Sequence, residues 1–447
     1  MPEVRDPKRE PGKKQFITEK VVRQPLTRKQ VIRRGLLLLV AAVLFGGAAG
    51  ASFAFSQSWA ARRFKESSPT EAMISIPKDE VTEPTSEAET ESESAGTPEE
   101  EPTVQAPPES EAVEKVVRNA IDNYRYTIED LNELFFCLRQ QVQNASKGVV
   151  VVHSVQQEVD WFDNPVETTG LYAGAIIAKS PQELLILTPE AAVEQADSIA
   201  VTFADGTEVN GQMKQQDTLS GMAVVGINVS DMGESTLKET EVLPLGNSYL
   251  VREGDLIVAL GSPAGIVRSI DYGFVSYIMK NAPVVDQVTR LFYAGISADA
   301  DQGTFFMNTS GELIGWAKGQ ETDAENGQMT VITGISDYKG ILENLTNGLS
   351  APCFGIEGQE VSDAIAVQGL PRGIYVLNSV TGRPAYEAGI QNGDIITRIN
   401  DHELSTMKDF QNTIDNLECG QLIHVTVQRN GREEYTELEF QVTVGAR

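Results

Sequence analysis

The chain is poor in cysteine and in histidine, with three residues of each among 447. Three dispersed cysteines, Cys137, Cys353 and Cys419, are too few for a disulfide framework or a cysteine-based zinc cluster. The histidines show no spacing with carboxylates that would suit a metal, so we predict no metal and no other cofactor. Basic charge is also in deficit, because 36 Lys and Arg face 64 Asp and Glu for a net charge of −28. Such an acidic surface repels a phosphate backbone, which excludes nucleic acid as a partner.

The first sixty residues combine a basic segment with an uncharged one. Residues 1–34 hold eleven Lys and Arg against four Asp and Glu, and residues 35–61 hold no charged side chain at all. The apolar run Leu36–Phe55 is long enough to cross a hydrocarbon core of about 30 Å as a helix. Because positive charge favours the cytoplasmic side, we predict a cytoplasmic tail over 1–34 and a single-pass anchor in the cell membrane over 35–61. The later domains would then be extracytoplasmic. A cleaved signal peptide is the alternative, although its apolar part would be too long.

The segment after the predicted anchor, residues 62–112, is rich in Glu, Ser, Thr and Pro. Between residues 78 and 114, thirteen acidic residues accompany Lys78 as the single base. A segment of this composition buries too little apolar area to offset its ordering entropy. We therefore predict a disordered acidic linker that holds the folded part away from the membrane.

Residues 113–145 carry apolar side chains at alternating spacings of four and three: Val117, Ile121, Tyr124, Ile128, Leu131, Phe135, Leu138 and Val142. This period of 3.5 residues favours a short coiled coil that drives self-association. The additional apolar residues Leu134 and Phe136 favour an amphipathic helix that packs on its own domain. Both interpretations of the helix predicted over 113–145 stay open.

From Gly148 to about Gly334 the sequence changes to short β-rich runs separated by turn residues. The runs are GVVVVHSV, GAIIAK, ELLILT, SIAVTF, AVVGINV, LIVALG, GFVSYIM and ELIGWA. Many short strands at such spacing predict an all-β sandwich or barrel.

Several of these runs resemble the HtrA/DegP family of trypsin-like serine proteases. Leu185–Gly206 is similar to the stretch in which that family places Leu-Thr-Asn-Asn-His-Val-Val before a strand and an Asp-Gly turn. The resemblance continues in the same order through Gly221–Ile227, Leu243–Gly265, Gly273–Ile278 and Met307–Ala317. It implies a mostly β fold, with a chymotrypsin-like double β-barrel and a connecting helix over residues 146–350. Since related proteins commonly form trimers, it also implies a homotrimer.

The positions at which the family carries its catalytic triad hold other residues. Ala191 stands at the histidine position, Gly221 at the aspartate position and Gln302 at the serine position. An alanine methyl accepts no proton, glycine orients no base, and a glutamine amide is a poor nucleophile. The loop before Gln302 is shorter than the family's, and a carboxylate at Asp301 would repel a developing oxyanion. We therefore predict a degenerate triad without catalytic residues.

Four residues, His153, Ser220, Thr304 and Lys318, are candidates to replace the triad. His153 lies in an apolar run and fits a structural role better than a catalytic one. Ser220 and Thr304 flank the triad positions but have no recognisable base, and nothing in the sequence fixes the position of Lys318 beside them. A serine-type endopeptidase with a non-standard site is therefore the first alternative function.

Residues 351–447 resemble a PDZ domain of the HtrA type. The resemblance is carried by Cys353–Ile356, Arg383–Asp401 and the helix predicted over Ser405–Leu417. It implies that an extended peptide adds a strand to the sheet, with its terminal carboxylate held by backbone N–H groups of the preceding loop. The predicted peptide-binding residues are Phe354, Gly355, Ile356, Phe410 and Ile414. The apolar face of the helix must also form part of the domain core.

These features together predict a membrane-anchored, extracytoplasmic pseudoprotease of HtrA type. Its PDZ domain would bind extended peptides or protein C-termini in a regulatory or envelope quality-control role. A structural oligomeric scaffold, held together by the helix of residues 113–145, is the second alternative function.

Overall fold

The computed structural model describes residues 73–80, 125–159, 165–323, 327–367, 369–431 and 434–447. The predicted cytoplasmic tail, the predicted anchor and most of the predicted linker lie outside these ranges. Within them, no helix has the length and apolar character needed to span a membrane.

The first of two closed barrels has six strands, β1 (Val149–Val159), β2 (Pro165–Lys179), β3 (Glu183–Pro189), β4 (Ser198–Thr202), β5 (Glu208–Asp217) and β6 (Met222–Asn228). Around the barrel their order is β1-β2-β3-β6-β5-β4, with antiparallel pairing throughout. Side chains such as Val152, Ile186 and Val225 are fully buried in its interior. A helix of 18 residues, α1 (Ile128–Ala145), precedes the barrel, and the short helix α2 (Glu234–Glu239) follows it.

The second barrel also has six strands, β7 (Leu256–Gly261), β8 (Ser269–Val284), β9 (Gln287–Ala294), β10 (Thr304–Met307), β11 (Leu313–Asp323) and β12 (Gly327–Gly334), in the order β10-β11-β12-β9-β8-β7. A buried cluster joins the two barrels and includes Leu187 from the first and Val258 and Trp316 from the second. The β-rich runs of the sequence thus form the strands of two barrels, and the two barrels pack against each other through one buried cluster. This confirms the mostly β, chymotrypsin-like architecture.

Helix α3 (Lys339–Thr346) connects the barrels to a smaller sheet of β14 (Ile356–Glu360), β15 (Ile374–Ser379), β16 (Ile395–Ile399), β17 (His402–Glu403), β18 (Leu422–Asn430) and β19 (Tyr435–Thr443). A separate pair is formed by β13 (Pro352–Cys353) and β20 (Gly445–Ala446). The helices of this part are α4 (Asp363–Ala366), α5 (Pro384–Ala388) and α6 (Met407–Asp415). This arrangement confirms the predicted PDZ domain.

Helix α1 covers the second half of the helix predicted over 113–145, and residues 113–124 lie outside the described residues. The side chain of Thr127 accepts a hydrogen bond from the Asp130 amide, and Asp130 in turn accepts one from the Thr127 amide, so this capping box starts the helix at Ile128. At the C-terminal end Val142 is buried in the core between the barrels, whereas Leu131 and Phe135 are exposed. The helix therefore packs on its own domain at one end, and the exposed end leaves the self-association hypothesis untested.

The predicted disordered linker contains an ordered segment, residues 73–80, which we call the strap. The amide of Ile74 donates to Asn347 Oδ1 at 2.9 Å, and the Ile76 side chain is only 7% exposed in the core between the barrels. Asp79 accepts a hydrogen bond of 2.6 Å from Ser336 Oγ and pairs with Lys339 at 2.8 Å. The prediction of disorder is wrong for these residues, because two isoleucines and one aspartate find partners that local composition does not reveal.

The strap should contribute to the stability of the folded part. We expect Ile76→Ala to lower the free energy of unfolding by about 2 kcal/mol, since it removes buried methyl groups from a packed site. Met73→Ala is the matched control, because the Met73 side chain is 71% exposed. Urea unfolding of the full chain followed by circular dichroism measures both changes. Equal midpoints for the two variants would contradict the packing role of Ile76.

Candidate functional site

Two of the predicted triad positions lie at one end of the first barrel. Strand β3 runs into a single 3₁₀ turn, Glu190–Ala192. The amide of Glu190 donates to the Gly221 carbonyl at 2.8 Å, which ties this turn to the start of β6. Gly221 has φ +68°, the left-handed conformation that glycine adopts without strain. Ala191 and Gly221 are therefore neighbours, as the resemblance implies.

The third position, Gln302, lies in the connection between β9 and β10 and reaches across to the first barrel. Its carbonyl accepts a hydrogen bond of 2.7 Å from the Ala173 amide of β2. The next residue, Gly303, has φ +90°, and a Cβ there would lie 3.0 Å from Pro189. The loop around Gln302 therefore packs against the first barrel, next to the end of β3 that leads to Ala191.

The backbone amide of Gln302 is already bonded to a carboxylate. It donates to Asp299 Oδ1 at 2.9 Å, while the Gln302 side chain accepts a hydrogen bond of 3.0 Å from Ser262 Oγ. In serine proteases the amide of the nucleophilic residue is one of the donors that stabilise the oxyanion. In this chain the Gln302 amide already donates to Asp299 of the same loop, so it is not free to bind an oxyanion. The sequence assigned the interfering carboxylate to Asp301, but that residue is exposed and Asp299 makes the contact.

The replacement residues considered from the sequence do not assemble a catalytic group. His153 bonds Thr202 Oγ1 at 2.8 Å on the first barrel, and the other two histidines of the chain, His402 and His424, are exposed in the PDZ domain. The hydroxyl of Thr304 donates to the Asp299 carbonyl at 2.8 Å, and that of Ser220 to the Asp217 carbonyl at 3.4 Å. Lys318 is exposed on β11. All three histidines lie in the described residues, so no imidazole reaches the cleft.

The cleft is acidic on the side of the first barrel. Burial raises the pKa of Glu190, and the nearby carboxylates Glu194 and Asp217 raise it further. Asp217 itself is fully buried and pairs with Arg447 at 3.2 Å. Within the described residues, no group of three His, Cys, Asp or Glu is arranged to hold a metal ion.

A second candidate site is the groove between β14 and α6 of the PDZ domain. The groove has a volume of about 500 Å³, and its lining includes Gly358 from β14, Lys408 and Asn412 from α6, and Lys280 and Pro283 from β8. The second barrel therefore closes one side of the groove. In a PDZ domain a groove of this kind takes an extended peptide as an added strand.

The loop at the head of this groove is already in contact with a carboxylate. The amides of Phe354, Gly355 and Ile356 donate to the side chain of Asp286 at 2.8, 2.7 and 3.0 Å. Asp286 lies in the turn between β8 and β9 and is 3% exposed. Burial raises its pKa, while the bonded amides and the nearby Arg447 act in the opposite direction.

The predicted peptide-binding side chains lie inside the PDZ core. Phe354, Ile356 and Phe410 are fully buried, and Ile414 is 3% exposed. The rings of Phe354 and Phe410 meet edge to face with centroids 5.7 Å apart. Gly355 has φ +97°, and a Cβ there would lie 2.3 Å from the side chain of Arg383, so only glycine fits.

Two family comparisons match the two parts of the chain. A trypsin-like peptidase domain is matched over residues 173–315, and a PDZ domain over residues 352–440. The Bacillus subtilis serine protease Do-like HtrA is 26% identical over 287 residues, which is 59% of this chain and 62% of that protein. This chain therefore contains a trypsin-like peptidase domain followed by a PDZ domain, and it is similar to HtrA proteins.

Other relatives extend the same comparison. The Escherichia coli periplasmic pH-dependent serine endoprotease DegQ is 27% identical over 301 residues, or 64% of this chain and 62% of that protein. The HtrA-like chain thus covers less than two thirds of the length of the Bacillus and Escherichia proteins. Among solved structures, an HtrA-type protease AlgW with decapeptide shares the fold, with a TM-score of 0.50, 20% identity and coverage of 69% of this chain and 98% of that one.

Sequence reasoning missed the two aspartates that fill the sites of this HtrA-like chain. Asp299 lies in a loop and Asp286 in a turn, where aspartate is common for local reasons, so the sequence gives no signal for either. It also missed Lys408, Gln411 and Asn412, which face the open groove from α6. The sequence could have indicated these three residues, because they are the polar positions next to the apolar positions Met407, Phe410 and Ile414 of the same helix.

Cys137 and Cys353 should differ sharply in reactivity. Burial, together with the nearby Asp286, raises the pKa of Cys353 to about 12, and its side chain is fully buried. Cys137 is exposed on α1. Because the thiolate is the reactive form, we expect a disulfide reagent at pH 8 to label Cys137 rapidly and Cys353 only after unfolding. Mass spectrometry of the labelled full chain checks this, and Cys353→Ser should leave the fast labelling phase unchanged. Rapid labelling of Cys353 in the folded chain would contradict the burial.

Proposed function

We propose that this chain is a membrane-anchored, extracytoplasmic HtrA-like pseudoprotease that binds extended peptides or protein C-termini through its PDZ domain. The role is regulatory or belongs to envelope protein quality control. The observation that carries the proposal is the groove between β14 and α6, which leads to three converging amides at residues 354–356.

The peptide-binding part of the proposal has a physical basis in this groove. Backbone amides that converge on one point form a site for a carboxylate, and β14, as the end strand of its sheet, offers the main-chain partners of an added strand. The HtrA-type protease AlgW, which shares the fold, was solved with a decapeptide. A peptide C-terminus supplies both the carboxylate and the strand.

The pseudoprotease part is supported by the contents of the cleft. Ala191, Gly221 and Gln302 supply neither a base, nor its orienting acid, nor a hydroxyl. The oxyanion donor at residue 302 is bonded to Asp299. Binding interactions alone leave only a small residual rate of hydrolysis.

Membrane anchoring rests on the sequence of residues 35–61 and on the basic residues before it. The trimer rests on the resemblance alone. Fractionation of cells that produce the tagged full chain, with protease added to one side of the membrane, tests the orientation. Sedimentation of the purified chain tests the oligomeric state.

Peptide binding is tested by fluorescence anisotropy of the full chain with a labelled decapeptide that ends in a hydrophobic residue. We expect saturable binding that is lost when the terminal carboxylate is amidated. Equal binding of the amidated peptide would show that the terminal carboxylate is not recognised. No binding of either peptide would favour the scaffold function.

Cleavage of casein by the full chain separates the pseudoprotease from the endopeptidase with a non-standard site. We expect no cleavage above background and no labelling by a fluorophosphonate probe. Cleavage that persists through repurification and is abolished by Thr304→Val would assign the chain to the endopeptidase function instead.

A further inference from the structure

We propose that the turn between β8 and β9 is an internal ligand of the PDZ domain, in which the Asp286 carboxylate occupies the place of a peptide C-terminus. This inference rests on the proposed peptide-binding function and concerns its regulation. A C-terminal peptide can enter the carboxylate loop only after the turn has left it.

The contact has the hydrogen-bond pattern of a bound terminal carboxylate. Oδ1 of Asp286 accepts from the amides of Gly355 and Ile356, and Oδ2 accepts from the amide of Phe354. Both oxygens are thus bonded, at 2.7 to 3.0 Å, to three consecutive backbone donors. Consecutive amides that point to one site are an arrangement for capturing anionic groups. A second carboxylate would have to compete for the same three donors.

The backbone of the turn also pairs with the strand to which a peptide would add. The Asp286 amide donates to the Ile356 carbonyl at 2.7 Å, and Val285 forms an antiparallel bridge with Glu357 of β14. Val288, at the start of β9, packs against the PDZ core. The turn therefore reproduces two elements of strand addition, the carboxylate and the main-chain pairing, in a segment of the barrel.

The turn holds Asp286 in a left-handed conformation with its side chain buried. Val284 pairs with Gln287, so Val285 and Asp286 form a two-residue turn, and Asp286 has φ +66°. Glycine, asparagine and aspartate are all typical of a left-handed position in such a turn, so the backbone conformation does not account for the burial of the carboxylate. An aspartate held there, buried with its charge, is explained by the partners it finds in the PDZ loop.

The space around the Asp286 turn is compatible with a contact between the turn and the loop of residues 354–356 that can open. A cavity of about 140 Å³ lies beside Asp286 and is lined by Gln287, Gln411 and Arg447, among others. Gln411 of α6 bonds Gln287 at 3.2 Å, so the turn is held by polar groups on this side. Beyond the turn the groove of about 500 Å³ is open. Space for the rest of a peptide is therefore present while its carboxylate position is filled.

The expected effect on affinity follows from the population of the docked turn. The apparent dissociation constant of a peptide equals its intrinsic value divided by the fraction of molecules with a free loop. A turn that is docked in nine of ten molecules weakens binding about tenfold, and more complete docking weakens it further. Removal of the Asp286 carboxylate should therefore increase the affinity for the peptide by this factor.

The first experiment compares Asp286→Gly with the wild-type full chain, using the labelled decapeptide with a free carboxylate. Glycine accepts the left-handed conformation, so this variant keeps the turn while deleting the internal ligand. We expect Asp286→Gly and Asp286→Asn to bind the decapeptide at least about tenfold more tightly than wild type. Asp231→Asn is the matched control, since Asp231 is an exposed barrel aspartate bonded to Ser230, and its affinity should equal that of wild type.

The second experiment locks the turn in place and does not depend on loss of Asp286. Val285→Cys and Glu357→Cys, in a background with Cys137→Ser and Cys419→Ser, place two thiols at facing positions of an antiparallel pair, within reach of a disulfide. We expect the oxidised chain to bind no decapeptide and the reduced chain to bind like wild type. Oxidised chain that binds as well as reduced chain would overturn the inference.

The outcomes separate the inference from the function on which it rests. If all variants bind the free decapeptide equally and none binds its amidated form, the proposed function stands and the internal ligand is refuted. If no variant binds under either condition, the proposed function fails and the inference fails with it. Amide hydrogen exchange at residues 354–356 gives a readout without peptide, because Asp286→Gly should accelerate it and Asp231→Asn should not. Unchanged exchange in Asp286→Gly would refute the docked carboxylate directly.

Discussion

Restoring the three triad residues by Ala191→His, Gly221→Asp and Gln302→Ser will leave the chain without protease activity above background. The new side chains can be accommodated, because Ala191 is exposed and a Cβ at Gly221 meets no atom within 4 Å. Aspartate also tolerates the left-handed conformation of residue 221 better than most residues. What the triple variant lacks is a free oxyanion donor, since Asp299 holds the amide of residue 302.

A fourth substitution, Asp299→Gly, should then raise the rate of the triple variant by about 100-fold, the factor that a single oxyanion donor contributes. It also removes a negative charge from the place where the transition state develops one. Casein hydrolysis by the triple and quadruple variants measures the difference, with Asp301→Gly in the triple background as the matched control. A triple variant that is already active, or an Asp301→Gly variant that gains as much, would show that the Asp299 contact does not block the cleft.

The sequence predicted the fold because its information there is distributed over many residues. Short apolar runs such as those around Leu185 and Val258 specify strands through pattern alone, and their order specifies the barrels through resemblance. The three triad positions were predicted for the same reason, since the flanking strands fix their register. In the structure Glu190 bonds Gly221, and Gly303 lies against Pro189 at the end of β3.

The contacts that fill the two sites were not predictable, because each depends on one side chain that reaches a distant part of the chain. Asp286 and Gly355 are far apart in sequence, and only the packing of the second barrel on the PDZ domain brings them together. The strap is similar, since Asp79 pairs with Lys339. The amino-acid composition of a segment predicts whether the segment as a whole is ordered. It does not predict a single contact between one side chain and a distant part of the chain.

Both unpredicted carboxylates make the same kind of contact with different loops. Asp299 accepts the amide of Gln302 in the cleft, and Asp286 accepts three amides in the PDZ loop. In each case an aspartate of the chain stands where the negatively charged group of a substrate or ligand would be bound. The proposed pseudoprotease thus differs from an active relative by filled anion sites as well as by missing side chains.

A buried ion pair joins the first barrel to the end of the PDZ domain, and breaking it should have the largest effect on stability. Asp217 of β5 and Arg447 lie 3.2 Å apart with side chains 0% and 5% exposed. Removing one partner leaves the other charge buried without compensation, which costs about 3–5 kcal/mol. We therefore expect Asp217→Ala and Arg447→Ala each to lower the free energy of unfolding by that amount.

The double variant Asp217→Leu with Arg447→Leu should lose much less than the sum of the single variants, since it leaves neither Asp217 nor Arg447 buried without its partner and fills the site with apolar atoms. Urea unfolding of the full chain provides the values for this cycle. The exposed pair Arg372–Asp363, with side chains 69% and 85% exposed, is the control, and Asp363→Ala should change the stability by less than about 1 kcal/mol. Additive losses in the buried pair, or a loss in the exposed pair as large as in the buried one, would mean that the barrel and the PDZ domain are not held together through these charges.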